Sequence, residues 1–178
     1  MPMTDWVTTV IHWFENLGDQ IQDFVQEVAK PTDDFVGFPT FERSIQLDSY
    51  SCVANSVFAI LRHYGRGVPY RHVFTNLRTD ENGTTATNMV RYLVKHGFAV
   101  TPRDPMTMAQ MRKALADGGV VLVDLEDDHV GVVYGMTDHM VLLADSSIRR
   151  QMFHIPMLRS SFMERWENKS GVIIKPRR

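Results

Sequence analysis

The chain holds a single cysteine, Cys52, within the stretch from Gln46 to Tyr64 that reads Q-L-D-S-Y-S-C-V-A-N-S-V-F-A-I-L-R-H-Y. The spacing of Val53, Val57, Ile60, Leu61 and Tyr64 predicts an amphipathic helix with Cys52 in its first turn. A helix N-terminus favours a thiolate, because its exposed N–H groups and macrodipole stabilise negative charge. Gln46, six residues upstream, carries an amide that can donate to an oxyanion. Nucleophilic chemistry also needs a base and a group to orient it. His129 opens one β-type run and Asp145 follows the next, with residues 135–139 supplying the turn. Centring that turn on Thr137 sets His129 directly opposite Asp145, on one face and with Cβ atoms ~5 Å apart. Cys52, His129, Asp145 and Gln46 then make up nucleophile, base, orienter and oxyanion donor.

Plainer readings stay open at this level. Cys52 can be a small buried apolar residue, the commoner fate of a lone cysteine. His129 can be an exposed turn histidine after Glu126-Asp127-Asp128, and Asp145 can cap the turn into Ser146-Ser147. His139, at the hairpin tip, is the rival base. His12, His63, His72, His96 and His154 are assigned to solvated faces or local contacts.

The surrounding elements read as helices first and strands last. After the Cys52 helix, which ends at Gly65, a short helix is expected over Pro69–Leu77. Another, capped by Thr84 or Thr85, runs to His96, and Phe98–Thr101 suggests a short strand. Thr107-Met108-Ala109-Gln110 is a capping-box pattern that opens a helix to Ala116. From Val120 the period changes to strands over 120–125, 129–134 and 140–144, then a short helix over Ser160–Trp166 and a closing strand over Gly171–Ile174. This is an α+β layout, with an N-terminal helical lobe packed against a C-terminal antiparallel sheet.

Residues 1–34 are expected to form a separate amphipathic helix and linker, leaving 35–178 as the main domain. Val7, Val10, Phe14, Leu17, Ile21, Phe24 and Val28 make one apolar stripe, with Asp5, Glu15, Asp19, Asp23 and Glu27 on the other faces. The segment over 4–30 is read either as packing along its own domain or as a docking helix for a partner protein or a second copy. Its polar face lacks the Lys and Arg of membrane-surface helices, so membrane contact is disfavoured.

A length of 178 residues suits one domain with an appendage, and a net charge of -2 gives no electrostatic case for nucleic acid. One cysteine excludes an internal disulfide framework, and no residues have the spacing of a metal site. No cofactor is expected. With no signal-peptide pattern and no apolar run of ~20 residues, a cytoplasmic location is the expectation.

Gln46, five intervening residues, Cys52 and a small-rich helix ending in His63-Tyr64-Gly65 together resemble the start of the papain-like bacteriocin-processing peptidases. The likeness runs in order through Gly83-Thr84-Thr85, Gly97-Phe98, the strand from His129 to Gly135, the strand from Val141 to Asp145, and Phe162-x-x-x-Trp166. The resemblance implies a papain-like cysteine peptidase that removes double-glycine leader peptides, with Cys52 as nucleophile, His129 as general base, Asp145 as its orienter and Gln46 as oxyanion donor. Its substrate would be a peptide or protein. Two departures stand out: Val53 where the family has glycine after the cysteine, and Ser146 where it has proline after the aspartate. No transporter portion accompanies the domain in this sequence, so a peptidase acting without one is expected. Two alternatives use the same residues: a catalytically silent peptide-binding module, and a thiol acyltransferase or deamidase.

Overall fold

The run Val120-Val121-Leu122-Val123 shows no alternation, which a strand tolerates when both of its faces are buried. A computed structural model describes residues 34–126, 128–147 and 156–177, and shows that arrangement. The chain divides into two units, Met1–Asp34 and Phe35–Arg178, and every described element belongs to the second. The helix expected over 4–30 and its docking role, together with His12 and His154, lie outside the described residues.

The elements in order are β1 (Val36–Gly37), α1 (Cys52–His63), α2 (Tyr70–Leu77), α3 (Ala86–Lys95), β2 (Phe98–Arg103), α4 (Met108–Ala116), β3 (Val120–Leu125), β4 (His129–Met136), β5 (Met140–Asp145), β6 (Met157–Leu158), α5 (Arg159–Arg165) and β7 (Trp166–Pro176). The sheet runs β2-β7-β3-β4-β5-β6, with β1 added against β4, and every pairing is antiparallel. The fold is therefore α+β with an antiparallel sheet. The closing strand is longer than the four residues expected, because β7 spans the sheet between β2 and β3.

Helices cover both faces of this sheet. On one face Val57, Ile60 and Leu61 of α1, Val73 and Leu77 of α2, and Met89 and Leu93 of α3 pack with Val120, Leu122, Val130 and Val132. On the other, Met111, Ala114 and Leu115 of α4, with Phe162 and Trp166, pack with Val121, Val123, Leu125 and Val133. The expected layout of a helical lobe packed against an antiparallel sheet is what the fold shows; α4 adds a layer on the opposite face, and β3 sends alternate side chains into each core. Each fully buried aliphatic side chain in such a layer contributes about 1.5–3 kcal/mol.

The caps follow the sequence. Thr85 Oγ1 accepts from Asn88 N–H at 3.3 Å, and Thr107 and Gln110 form a reciprocal capping box at 3.2 and 2.8 Å. Gly65, at φ +70°, ends α1 as Arg66 N–H donates to Leu61 O at 2.7 Å. Gly37 is required by contact: at φ +103°, a Cβ there would meet Tyr134 O at 2.4 Å.

Candidate active site

The lead-in to α1 is shaped by one carboxylate and one amide. Asp48 Oδ1 accepts the N–H groups of Tyr50 at 3.0 Å and Ser51 at 2.7 Å, turning the chain into the helix. Asn55, one turn in and almost fully buried, donates to Ser51 O, Ser51 Oγ and Tyr70 OH, and accepts from Ser44 Oγ at 2.6 Å. With its oxygen held by Asn55, Ser51 does not cap the helix through its side chain. The N–H groups of the first turn are thus left without a Ser51 side-chain cap.

Gln46 is buried, and its amide is held at both ends. Nε2 donates to Asp48 O at 2.9 Å, while Oε1 accepts from Ser146 Oγ at 2.6 Å. The Gln46 N–H also donates to Ser146 O at 3.0 Å, so this loop is joined to the chain just beyond β5.

His129 and Asp145 meet because β4 carries a bulge. The turn closes with Thr137 N–H donating to Met140 O at 2.9 Å, and the pairs Met136–Val141 and Gly135–Leu142 follow from it. Continued without interruption, that register would set Asp145 opposite Val132, on the face away from His129. Tyr134 is instead an extra residue between the pairs Gly135–Leu142 and Val133–Leu143, and Asp145 faces Gly131. The direct opposition of His129 and Asp145 is thereby corrected. They are diagonal neighbours on one face, and the imidazole spans the offset, placing Nε2 2.6 Å from Asp145 Oδ1. Cys52 acts on the same ring, and with Nε2 committed to Asp145 the nitrogen left for it is Nδ1.

Asp145 has further partners. Ser147 N–H donates to Oδ1 at 2.9 Å, and Arg165 Nη2 donates to Oδ2 at 3.1 Å. Arg165 also donates through Nε to Glu126 Oε1 at 3.0 Å. Phe162 and Trp166, buried with ring centroids 5.4 Å apart, anchor the helix that delivers this guanidinium.

The electrostatics of the pair are reciprocal. Burial pulls His129 down, yet its hydrogen bonds to Asp145 and Cys52 and their negative charge outweigh that and push it up to about 9. Burial pulls Asp145 up, yet His129, the Ser147 N–H and Arg165 hold it down to about 2. At neutral pH an imidazolium therefore lies against a carboxylate.

The remaining described histidines lie elsewhere. His139 sits in the β4–β5 turn, at the far end of the hairpin from His129, with its N–H on Thr137 Oγ1 at 3.1 Å. His63 packs among Phe38, Phe41 and Tyr64, and burial lowers its pKa. His72 reaches Tyr92 OH at 3.2 Å and His96 reaches Tyr92 O at 2.8 Å. Val53 is half-buried against the α1-side core.

The pattern of the peptidase C39 family matches residues 41–177, which takes in the lead-in, α1 and the whole sheet beyond β1. The chain belongs to this family. Three solved structures carry the same fold. The peptidase domain of Streptococcus ComA, a bi-functional ABC transporter involved in quorum sensing, aligns with a TM-score of 0.66 at 18% identity, covering 78% of this chain and 100% of that one. A double-glycine-motif protease from an AMS/PCAT transporter, in complex with its leader peptide, gives 0.63 at 17%, covering 79% and 94%. The C39-like domain of a toxin secretion ATP-binding protein from Vibrio parahaemolyticus gives 0.56 at 11%, covering 73% and 100%. At such identities the likeness speaks to the fold alone. No curated protein matches the sequence.

The C39 assignment makes this a cysteine peptidase-type domain. No group of side chains that could hold a metal ion occurs among the described residues. No described helix is long and apolar enough to cross a membrane. Three contributors at this end of the C39 fold escape a sequence reading. Asn55 and Ser146 are ordinary polar residues in pattern. Ser146 is marked only as a departure from the family resemblance, and Arg165 only by lying directly before the second aromatic of Phe162-x-x-x-Trp166.

Proposed function

We propose that this C39 domain is a cysteine peptidase in which Cys52 is the nucleophile, His129 the general base and acid, Asp145 the group that orients and charges the imidazole, and Gln46 an oxyanion donor. The observation that carries this reading is the bond between His129 Nε2 and Asp145 Oδ1 at 2.6 Å, on an imidazole that also feels Cys52. The thiolate attacks the scissile carbonyl carbon, a C–S bond forms, and the π pair moves to oxygen. The Gln46 amide and the Cys52 N–H receive that charge; one such donor is typically worth about 3–4 kcal/mol of barrier. Collapse expels the amine, which takes its proton from His129. Water then gives a proton to His129, attacks the thioester and returns the Cys52 thiolate.

The substrate proposed is a peptide cut after a Gly-Gly pair. This follows from membership of the C39 family and from the leader peptide bound by the AMS/PCAT neighbour. The test is turnover of a Gly-Gly-containing peptide, with product masses read directly. Free carboxylic acid product, lost by at least ~10³-fold in Cys52→Ala, is the expected result. Turnover that persists in Cys52→Ala would overturn the assignment. A product carrying a transferred acyl group would replace hydrolysis by acyl transfer.

A further inference from the structure

Ser146 stands directly after Asp145, and its hydroxyl reaches a residue 100 positions earlier in the chain. A side-chain amide can sit in either of two flipped orientations, and its neighbours decide which. Asp48 O can only accept, so the Gln46 NH₂ group must face it, at 2.9 Å. Oε1 is then turned to Ser146, whose Oγ–H donates to it at 2.6 Å. The NH₂ group has two N–H bonds, and one of them goes to Asp48. The second has no acceptor among the described residues, and in the role proposed above it is the bond offered to a substrate oxygen.

We propose that Ser146 is a positioning residue that locks the Gln46 amide in its donating orientation, tying the oxyanion site to the carboxylate end of the catalytic chain. The inference rests on Gln46 and Cys52 having the roles given above. Three features set this contact apart from incidental packing. Ser146 is 3% exposed and Gln46 8% exposed, so water does not compete freely for the amide. The hydroxyl bond is accompanied by the backbone bond from Gln46 N–H to Ser146 O at 3.0 Å, which holds the two residues in register. A proline at this position, the residue that the family resemblance leads one to expect, has no hydroxyl to donate. The serine departure is thus a second tether for Gln46, not a loss.

The consequence is confined to steps that develop charge on oxygen. Replacing Ser146 by alanine leaves the backbone bond and Asp48 O in place but frees the amide to rotate. Turnover of the Gly-Gly peptide should fall about 10-fold in kcat with KM unchanged, since one hydrogen bond of ~1–1.5 kcal/mol is lost. A Gly-Gly-terminated peptide aldehyde adds Cys52 sulfur to its carbonyl carbon and places the π pair on oxygen, with the thiol proton on His129. Its affinity should fall by the same factor. Alkylation of Cys52 by iodoacetamide displaces iodide and forms no oxyanion, so its rate and pH profile should match the unaltered protein. This also shows that the variant is folded.

The decisive comparison is the double variant. In a Gln46→Ala background, Ser146→Ala should have no further effect on kcat or on aldehyde affinity. Additive losses would overturn the inference, as would undiminished kcat in Ser146→Ala or an altered alkylation profile. If the unaltered protein neither cleaves the peptide nor binds the aldehyde, the inference falls together with the peptidase reading. If Gln46→Ala is impaired while Ser146→Ala is not, only the role of Ser146 falls.

Discussion

The two ends of this site are built by opposite strategies. The lead-in to α1 is held mostly by bonds that span 2, 3, 4, 11 and 15 residues, from Asp48 to Tyr50 and Ser51, and from Asn55 to Ser51, Ser44 and Tyr70, with the Gln46–Ser146 tie as the long-range exception. The sheet end is held by bonds spanning 16, 20 and 39 residues, from His129 to Asp145 and from Arg165 to Asp145 and Glu126. Local bonds close short loops at small entropic cost, and they form as the helix forms. The long-range set has no meaning until β4, β5 and β7 are paired, and the face on which it lies depends on one bulge. The thiol is therefore placed mainly by its own neighbourhood, while the imidazole and carboxylate are placed by the whole sheet.

The sharpest way to break the sheet end alone is Asp145→Asn. Asparagine keeps the shape and loses the charge, so Arg165 and His129 keep a neighbour but not an anion. Peptide turnover is expected to fall by roughly 10²-fold or more. The alkaline limb of kcat/KM, set by His129 at about 9, should move to lower pH because the carboxylate that raises it is gone. An unmoved limb would mean that Asp145 does not govern the imidazole. Stability carries its own signature. His129 contributes fully below its ordinary 6.5 and loses that contribution as pH rises through about 9. Asp145 contributes fully above 3.8 and loses that contribution as pH falls through about 2. The pair therefore contributes in full between those ordinary values, and the variant should be destabilised most clearly there.

The same contrast explains what could be read from the sequence. The Cys52 helix, the Thr107–Gln110 capping box and Gly65 are local signals, and each element forms where its signal stands. The nearness of His129 and Asp145 can be guessed from two strands and a turn, but not its geometry. The turn over Thr137–Met140 is shifted from a centre at Thr137, and the Tyr134 bulge changes the face of every residue beyond it on β4. Neither has a residue-type marker strong enough to read. The two effects compensate, which is why a simple hairpin and the real one both bring His129 and Asp145 to one face. Ser146 and Arg165 reach the site through chain separations that no local pattern encodes.

A milder intervention tests the local end. Asn55→Ala removes three donated bonds and one accepted bond from a side chain 2% exposed. The buried Ser51 Oγ and the half-buried Ser44 hydroxyl lose this partner, while Ser51 O keeps the Asn55 backbone N–H, a loss of about 2–3 kcal/mol. The midpoint of urea unfolding should fall while its slope stays constant, because the surface exposed on unfolding hardly changes. Residual activity should still show the alkaline limb of the unaltered protein, since the sheet end is untouched.

The smallest effect belongs to Asp48. Its carboxylate accepts two backbone N–H groups at the entrance to α1, and its carbonyl accepts the Gln46 amide. Asp48→Ala removes the first function and keeps the second, because every residue has a carbonyl. The loss should resemble that of a helix-capping side chain, about 1 kcal/mol, with activity lowered only a few-fold. Asp48→Asn retains a side-chain acceptor and should recover most of it. A loss in Asp48→Ala as large as in Asn55→Ala would mean that the turn itself, and not the Asn55 network, holds the entrance. An alkaline limb displaced in Asp48→Ala would show that the lead-in also sets the state of His129, and the division between a locally built thiol and a sheet-built imidazole would no longer hold.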